Sequence, residues 1–443
     1  MVLVRRLAAN VQYPGLIGRI IAERIDVEQY QKELFREHLL ETNPLTPVAY
    51  GFSATRTSRN LEPWARSILG ELVDEGRLDD AAFIATSMPA GSALWVLLEP
   101  YGVILKEKYW KKVGRLWWLA SAQEVETAIR ELVGVGRAAL AVDTAGMYCN
   151  EKKIRIDATS ILNALSALRD ELTKVSEESP IAAETRALTN DQMFAYHLVK
   201  MFEVIDMDQH IKEDMVVVIE IFFLPFLRHT EHAPKRLQHH LARSPEFFAQ
   251  LVSFKYKPRV EDGDAVCDNT EAPVPDNDEE QVASRYHMAD TVLSQWKLYP
   301  GVDEEGPERD RIALDWAREA LRLTKTQHRR TVGEHEIGYV FARMPEANDG
   351  VWPSLAARIL LEEDQHPEIS EGLHIGRVNQ RGVVSKAIGE GGKQEREIAS
   401  SYRKNARQLQ AQYPRTAALL DGLARDYERE AERDDSRERR REY

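Results

Sequence analysis

Hydrophobic residues recur along this chain at helical rather than strand spacing, and the periodicity predicts helices over most of its length. After Pro14, which suits a first helical turn, Leu16, Ile17, Ile20, Ile21 and Ile25 follow at helical intervals. Tyr30, Leu34 and Leu39 continue the pattern. Asn60-Leu61-Glu62-Pro63 reads as a helix start capped by Asn60, leading into Trp64, Ile68, Leu69, Leu72 and Val73. Residues 157–175 are amphipathic through Ile161, Leu162, Leu165, Leu168 and Leu172, and helices are expected at 191–204 and 214–227. The most apolar run, residues 215–227, contains Glu220 and Pro225 and is shorter than the ~20 residues a membrane span needs, so it is read as a buried core helix. Further helices are expected at 282–296, 307–324, 351–363, 394–412 and 415–443, the last two separated at Pro414.

One pattern occurs twice. Glu71-Leu72-Val73-Asp74-Glu75-Gly76-Arg77 precedes an alanine-rich stretch, and Glu131-Leu132-Val133-Gly134-Val135-Gly136-Arg137 precedes another. In each copy a helix should end at Gly76 or Gly136, where glycine takes the left-handed cap conformation easily. A second helix should begin at once, its alanines permitting close packing. That unit is an αα-hairpin. The expected fold is therefore all-α: stacked helical hairpins of a HEAT/TPR-like α-solenoid, with a carboxy-terminal helical subdomain. Between the copies, Tyr109, Trp110, Leu116, Trp117, Trp118 and Leu119 are read as one aromatic-rich helix contributing core between stacked helices rather than a binding face.

Residues 261–280 break the pattern. They hold nine acidic residues and no Lys or Arg, together with Pro273, Pro275 and Gly263. Such a segment buries too little apolar surface to offset its ordering entropy. It divides the chain into a helical-repeat domain (1–256), an acidic flexible loop (257–284) and a carboxy-terminal helical domain (285–443) ending in a charged helix. The net charge of -13 argues against a broad nucleic-acid surface, although this one loop carries most of it. Cys149 and Cys267 are too few for a disulfide framework or a cysteine zinc site, and a reducing cytoplasm is expected. Residues 1–11 lack the apolar core of a signal peptide. No first element is evident before Tyr13, which is read as a sign that the chain is a fragment of a longer protein.

Three clusters invite chemistry. His229, His232, His239 and His240 lie within twelve residues and are candidate metal ligands, although their spacing is not the i, i+4 pattern of a helical zinc motif and Pro234 interrupts them. Gly389-Glu390-Gly391-Gly392-Lys393 lacks the hydroxyl residue of a phosphate loop, since Gln394 stands in its place, and reads as a loop before a helix. Arg377, Arg381, Arg396 and Arg403 could form a basic binding surface; the stretch from Arg377 to Gly382 reads as a turn-like connection. In the tail Asp426, Glu430, Asp434 and Glu438 each have an arginine three residues later (Arg429, Arg433, Arg437 and Arg441), as in a solvated helix supported by ion pairs. No catalytic residue is singled out and no cofactor is expected.

Two stretches resemble a known kind of region. One is Ser244-Pro245-Glu246-Phe247-Phe248, continuing through Leu251, Tyr256 and Arg259. The other runs through His374-Ile375-Gly376, Asn379-Gln380-Arg381-Gly382-Val383, Gly391-Gly392-Lys393-Gln394-Glu395-Arg396, Tyr413-Pro414-Arg415-Thr416-Ala417 and Tyr427-Glu428-Arg429-Glu430-Ala431. Together they resemble the carboxy-terminal helical region of large bacterial multidomain proteins, some of the STAND type seen in anti-phage defence. The resemblance implies a sensor or scaffold arm without catalytic residues, whose partner is another protein or an absent amino-terminal module.

The expected function is accordingly a protein-interaction or sensing scaffold of a bacterial signalling or defence system, not associated with a membrane. The alternatives are a metal-dependent enzyme using the histidine cluster and a nucleic-acid-binding helical protein using the arginines.

Overall fold

The computed structural model describes residues 2–24, 28–39, 42–59, 61–151, 154–174, 180–190, 192–227, 230, 232–259, 279–363, 366–382 and 390–441. The fold is all-α, with no strand among the described residues. None of the described helices is long and apolar enough to cross a membrane. The chain divides into two compact units, one of residues 1–222 and 226–232, the other of residues 223–225 and 233–443. The acidic segment lies outside the described residues up to 278, and helix resumes at Glu279.

Unit 1 contains α1 (Val2–Ala8), α2 (Gly15–Arg24), α3 (Glu28–Leu34), α4 (Thr46–Arg59), α5 (Leu61–Asp74), α6 (Leu78–Thr86), α7 (Ser92–Leu98), α8 (Gly102–Lys112), α9 (Ala122–Gly134), α10 (Ala138–Cys149), α11 (Ala158–Lys174), α12 (Pro180–Thr189), α13 (Gln192–Met207) and α14 (Glu213–Phe223). Unit 2 contains α15 (Lys235–Arg243), α16 (Pro245–Lys255), α17 (Glu279–Gln295), α18 (Gly306–Thr326), α19 (Arg330–Phe341), α20 (Leu355–Glu362), α21 (Glu368–Asn379), α22 (Lys393–Leu409) and α23 (Pro414–Arg441). A first element does precede Tyr13, the short helix α1. Arg377 and Asn379 close the last turn of α21 rather than lying in a connection. The tail helix is solvated only in its outer part: Leu420, Leu423, Ala424, Tyr427 and Ala431 are buried, and α23 pairs with α22.

The repeated glycine–arginine pattern folds as its residues demand. Gly76 and Gly136 adopt φ of 72° and 74°. Each helix closes with the doubled bond of a Schellman cap, Gly76 N to Val73 O and Arg77 N to Leu72 O, and likewise Gly136 N to Val133 O and Arg137 N to Leu132 O. The arginine then serves a second purpose. Arg77 donates to the carbonyls of Phe35 and Glu37 just beyond α3, and Arg137 donates to those of Trp110 (2.9 Å) and Val113 (2.6 Å) at the end of α8. Each guanidinium thus satisfies carbonyls that a helix end leaves without partners. A third such junction joins α18 to α19. There His328 takes the left-handed position at φ 57°, Arg329 N bonds Thr324 O, and the Arg329 side chain donates to Tyr256 O beyond α16. Histidine in place of glycine hides this copy in the sequence.

Helix amino termini are closed by acids from other helices. Glu124 accepts from Ser92 N (2.8 Å) at α7, and Glu171 from Ala138 N (2.9 Å) at α10. Asp310 accepts from Ala356 N at α20, and Glu334 from Glu368 N at α21. Asp435 accepts from Gly392 N at α22, and Glu362 from Arg415 N and Thr416 N at α23. A carboxylate at a helix amino terminus meets both orphan amides and the positive end of the helix dipole. Part of the chain's acidity is spent in this way.

Several helix pairs meet backbone to backbone at glycines. A Cβ on Gly372 of α21 would lie 2.0 Å from His335 O, and one on Gly338 of α19 would lie 2.3 Å from Ile369 O. Gly18 against Val48 and Gly51 against Gly15 bring α2 and α4 together in the same manner.

Candidate functional site

The aromatic stretch after α8 departs from expectation in a way that creates a surface. The helix stops at Lys112, and residues 113–120 carry no regular secondary structure. Gly114, the weakest helix former there, lies in this segment. Val113, Leu116 and Leu119 point inward and are buried, whereas Trp117 is 57% and Trp118 89% exposed. The two tryptophans are therefore not core, because the chain leaves the helix before reaching them.

The exposed segment is anchored along its length. Arg137 binds Val113 O, as described. The Tyr148 hydroxyl donates to Leu116 O (2.9 Å) and accepts from Leu119 N (2.7 Å), and burial pushes this phenol up from its ordinary value. Ala120 N donates to Glu124 (2.7 Å). Burial alone would raise Glu124, but the amides of Ser92, Ala120 and Ser121 outweigh it and hold the carboxyl below the usual value. Both Arg137 and Glu124 come from the second copy of the hairpin, so the repeat builds the platform.

Beside Trp117 a pocket of about 360 Å³ opens within unit 1. Its floor is polar and nearly buried. Asp143 of α10 receives Arg115 Nε at 3.0 Å, and His197 of α13 places Nδ1 3.8 Å from the same carboxylate. The imidazole occupies a slot left by Gly146, where a Cβ would lie 2.3 Å from His197 Cβ. The Arg115 guanidinium also lies over the Trp117 ring, 5.8 Å from its centroid. Met147, Met193, Asn150 and the exposed Glu151 line the remaining wall, and Asn150 Oδ1 accepts from the Tyr196 hydroxyl (3.0 Å). The pocket combines a soft apolar wall with donors and acceptors fixed on two helices, which suits binding. Cys149 nearby is no nucleophile, since burial pushes its thiol up to about 12. Sequence inspection missed Asp143 and His197 because nothing along the chain links two residues on separate helices.

The histidines singled out from the sequence fall elsewhere. His229 lies outside the described residues. His232 belongs to unit 1 and stacks on Phe202 at 5.7 Å. His239 and His240 belong to unit 2, where His239 faces Asp303 (3.3 Å) and His240 meets the Phe247 ring edge-on. Among the described residues, the trio of ligand-type side chains near enough to share an ion is Glu395, Glu430 and Asp434, and Arg381 pairs with the first two.

The four arginines are drawn into contacts within unit 2. Arg377 lies over the Trp352 ring at 4.8 Å and donates to the Tyr402 hydroxyl (3.0 Å). Arg381 lies over Tyr427 while pairing with Glu395. Arg396 pairs with Asp435 (2.7 Å) and Arg403 with Glu428 (2.8 Å). Where a phosphate would sit at the start of α22, the Asp435 carboxylate already caps Gly392 N.

Comparison with protein families, curated proteins and solved structures finds no match to the chain in any of the three.

Proposed function

We propose that the chain is a protein-interaction or sensing scaffold, a stack of helical hairpins of HEAT/TPR-like character that presents the Trp117–Trp118 ledge to a partner. The observation that carries the reading is the ledge: two tryptophans held in solvent on a segment fixed by Arg137, Tyr148 and Glu124. Exposed tryptophan is costly in water, and a rigid display lowers the ordering cost of binding. Tryptophan is also enriched among the residues that dominate interface energies. The three helix–arginine–helix junctions support the repeat architecture. The resemblance noted above suggests a sensor arm in a bacterial signalling or defence system.

Trp118→Ala and the Trp117→Ala/Trp118→Ala pair test this directly. Both side chains are exposed, so melting temperature should hold within a few degrees. Cross-linking in native cells should lose the partner bands formed by the unaltered protein. Retention of the same bands in the double variant would remove the reading.

A further inference from the structure

The pocket under Trp117 carries a second step, which rests on reading unit 1 as a binding module and adds the ligand. Its floor holds charges of both signs within bonding distance, Arg115 against Asp143 at 3.0 Å, with His197 behind them. An anion placed there meets the carboxylates of Asp143 and Glu151, and a small cation at the floor meets the Arg115 guanidinium. A small ion at the floor would have to displace a formed pair whose carboxylate is only 9% exposed, where an ion left without its partner is costly. A neutral ligand with adjacent donors and acceptors avoids that cost, because it can bond to the outer edges of the existing pair and to the Asn150 amide. The wall selects for shape: the indole of Trp117 and the thioethers of Met147 and Met193 line the same pocket, all polarizable surfaces suited to the face of a flat ring. At about 360 Å³ the space admits a small molecule, not a folded element.

We propose that this pocket binds a neutral planar nitrogen heterocycle of the nucleobase type, stacked on Trp117 and hydrogen-bonded through its edge to Arg115 and Asp143. Every base offers a π-face to an aromatic platform, and its edge alternates donors and acceptors. The charged floor would discriminate between bases, because a carboxylate only accepts and a guanidinium only donates.

The experiment is calorimetric titration of the full chain with adenosine, guanosine, cytidine and uridine, with free tryptophan and phenylalanine as zwitterionic controls. At least one nucleoside should bind saturably at one per chain. Trp117→Ala should weaken it at least tenfold, whereas Trp118→Ala, outside the pocket lining, should leave it within about twofold. Asp143→Asn, which keeps the shape and adds a donor, should change the order of preference among the four. The assignment is overturned if none of the four binds, if Trp117→Ala and Trp118→Ala weaken binding alike, or if only the zwitterionic amino acids bind. The two readings separate at Trp118, which lies outside the pocket lining: Trp118→Ala should lose the partner bands while leaving nucleoside binding within about twofold, so either can fail without the other.

Discussion

Replacing Arg137 by alanine should loosen both the fold of unit 1 and the tryptophan ledge. Its side chain is 11% exposed and makes four bonds: two to Glu184 and one each to the carbonyls of Trp110 and Val113. Truncation leaves two carbonyls in a buried setting without their donor, at about 1–3 kcal/mol each. Glu184 is 28% exposed and partly resolvated, so its lost pairing adds only about 1 kcal/mol. The expected loss is roughly 3–7 kcal/mol. A chain of two units need not unfold in one step, so a single melting curve is a poor gauge. Native-state hydrogen exchange is better. At ~1.4 kcal/mol per tenfold, the slowest amides of α10 should exchange at least about two orders of magnitude faster. The Leu119 amide, held by Tyr148 on the same segment, should lose protection as well. Lysine at 137 should recover part of the loss, since an ammonium can reach one carbonyl but cannot span the fork. Arg130→Ala, on the exposed face of α9, should change little. Acceleration under about tenfold in Arg137→Ala would refute the claim that this arginine closes the end of α8.

Three further outcomes follow from the packing and the charges. Gly372→Ala sets a methyl 2.0 Å from His335 O and should lower the stability of unit 2 by about 3 kcal/mol or more, read from hydrogen exchange of α19 and α21, against about 1 kcal/mol in unit 1 for Gly76→Ala, where φ is 72° but nothing lies within 4 Å. Glu334, like Glu124, is raised by burial but held lower overall, here by His366, Arg330 and the Glu368 amide. Because their folded values lie below the usual 4.5, their contribution is complete above that pH and fades as pH falls through it. The melting temperature should therefore be level from pH 7 to 5 and then drop, less steeply in Glu334→Gln; an unchanged acid slope in that variant would remove Glu334 from the account. In a Cys267→Ser background, Cys149 should react with a thiol reagent at pH 8 far more slowly than a free cysteine, because burial pushes its thiol up to about 12; reaction at the free rate would contradict that burial.

Helix content and the two glycine–arginine hairpins were legible from the sequence, because helical periodicity and a glycine cap are local properties. The third hairpin was not, since His328 pays a modest conformational cost for a place that glycine fills freely. The tryptophans were legible as residues but not as a surface. Periodicity carried the helix of Tyr109 through Gly114, and only the tertiary bonds to Arg137, Tyr148 and Glu124 hold residues 113–120 out of helix, with Trp117 and Trp118 exposed. Chain-distant pairings lay wholly beyond reach: Asp143 with His197, the acids that cap other helices, and the partners of Arg377, Arg381, Arg396 and Arg403. Local sequence determined where helices start and stop, because their hydrogen bonds close over four residues. Which carboxylate meets which amide, and which aromatic faces water, were decided only by the packing of helices far apart in the chain.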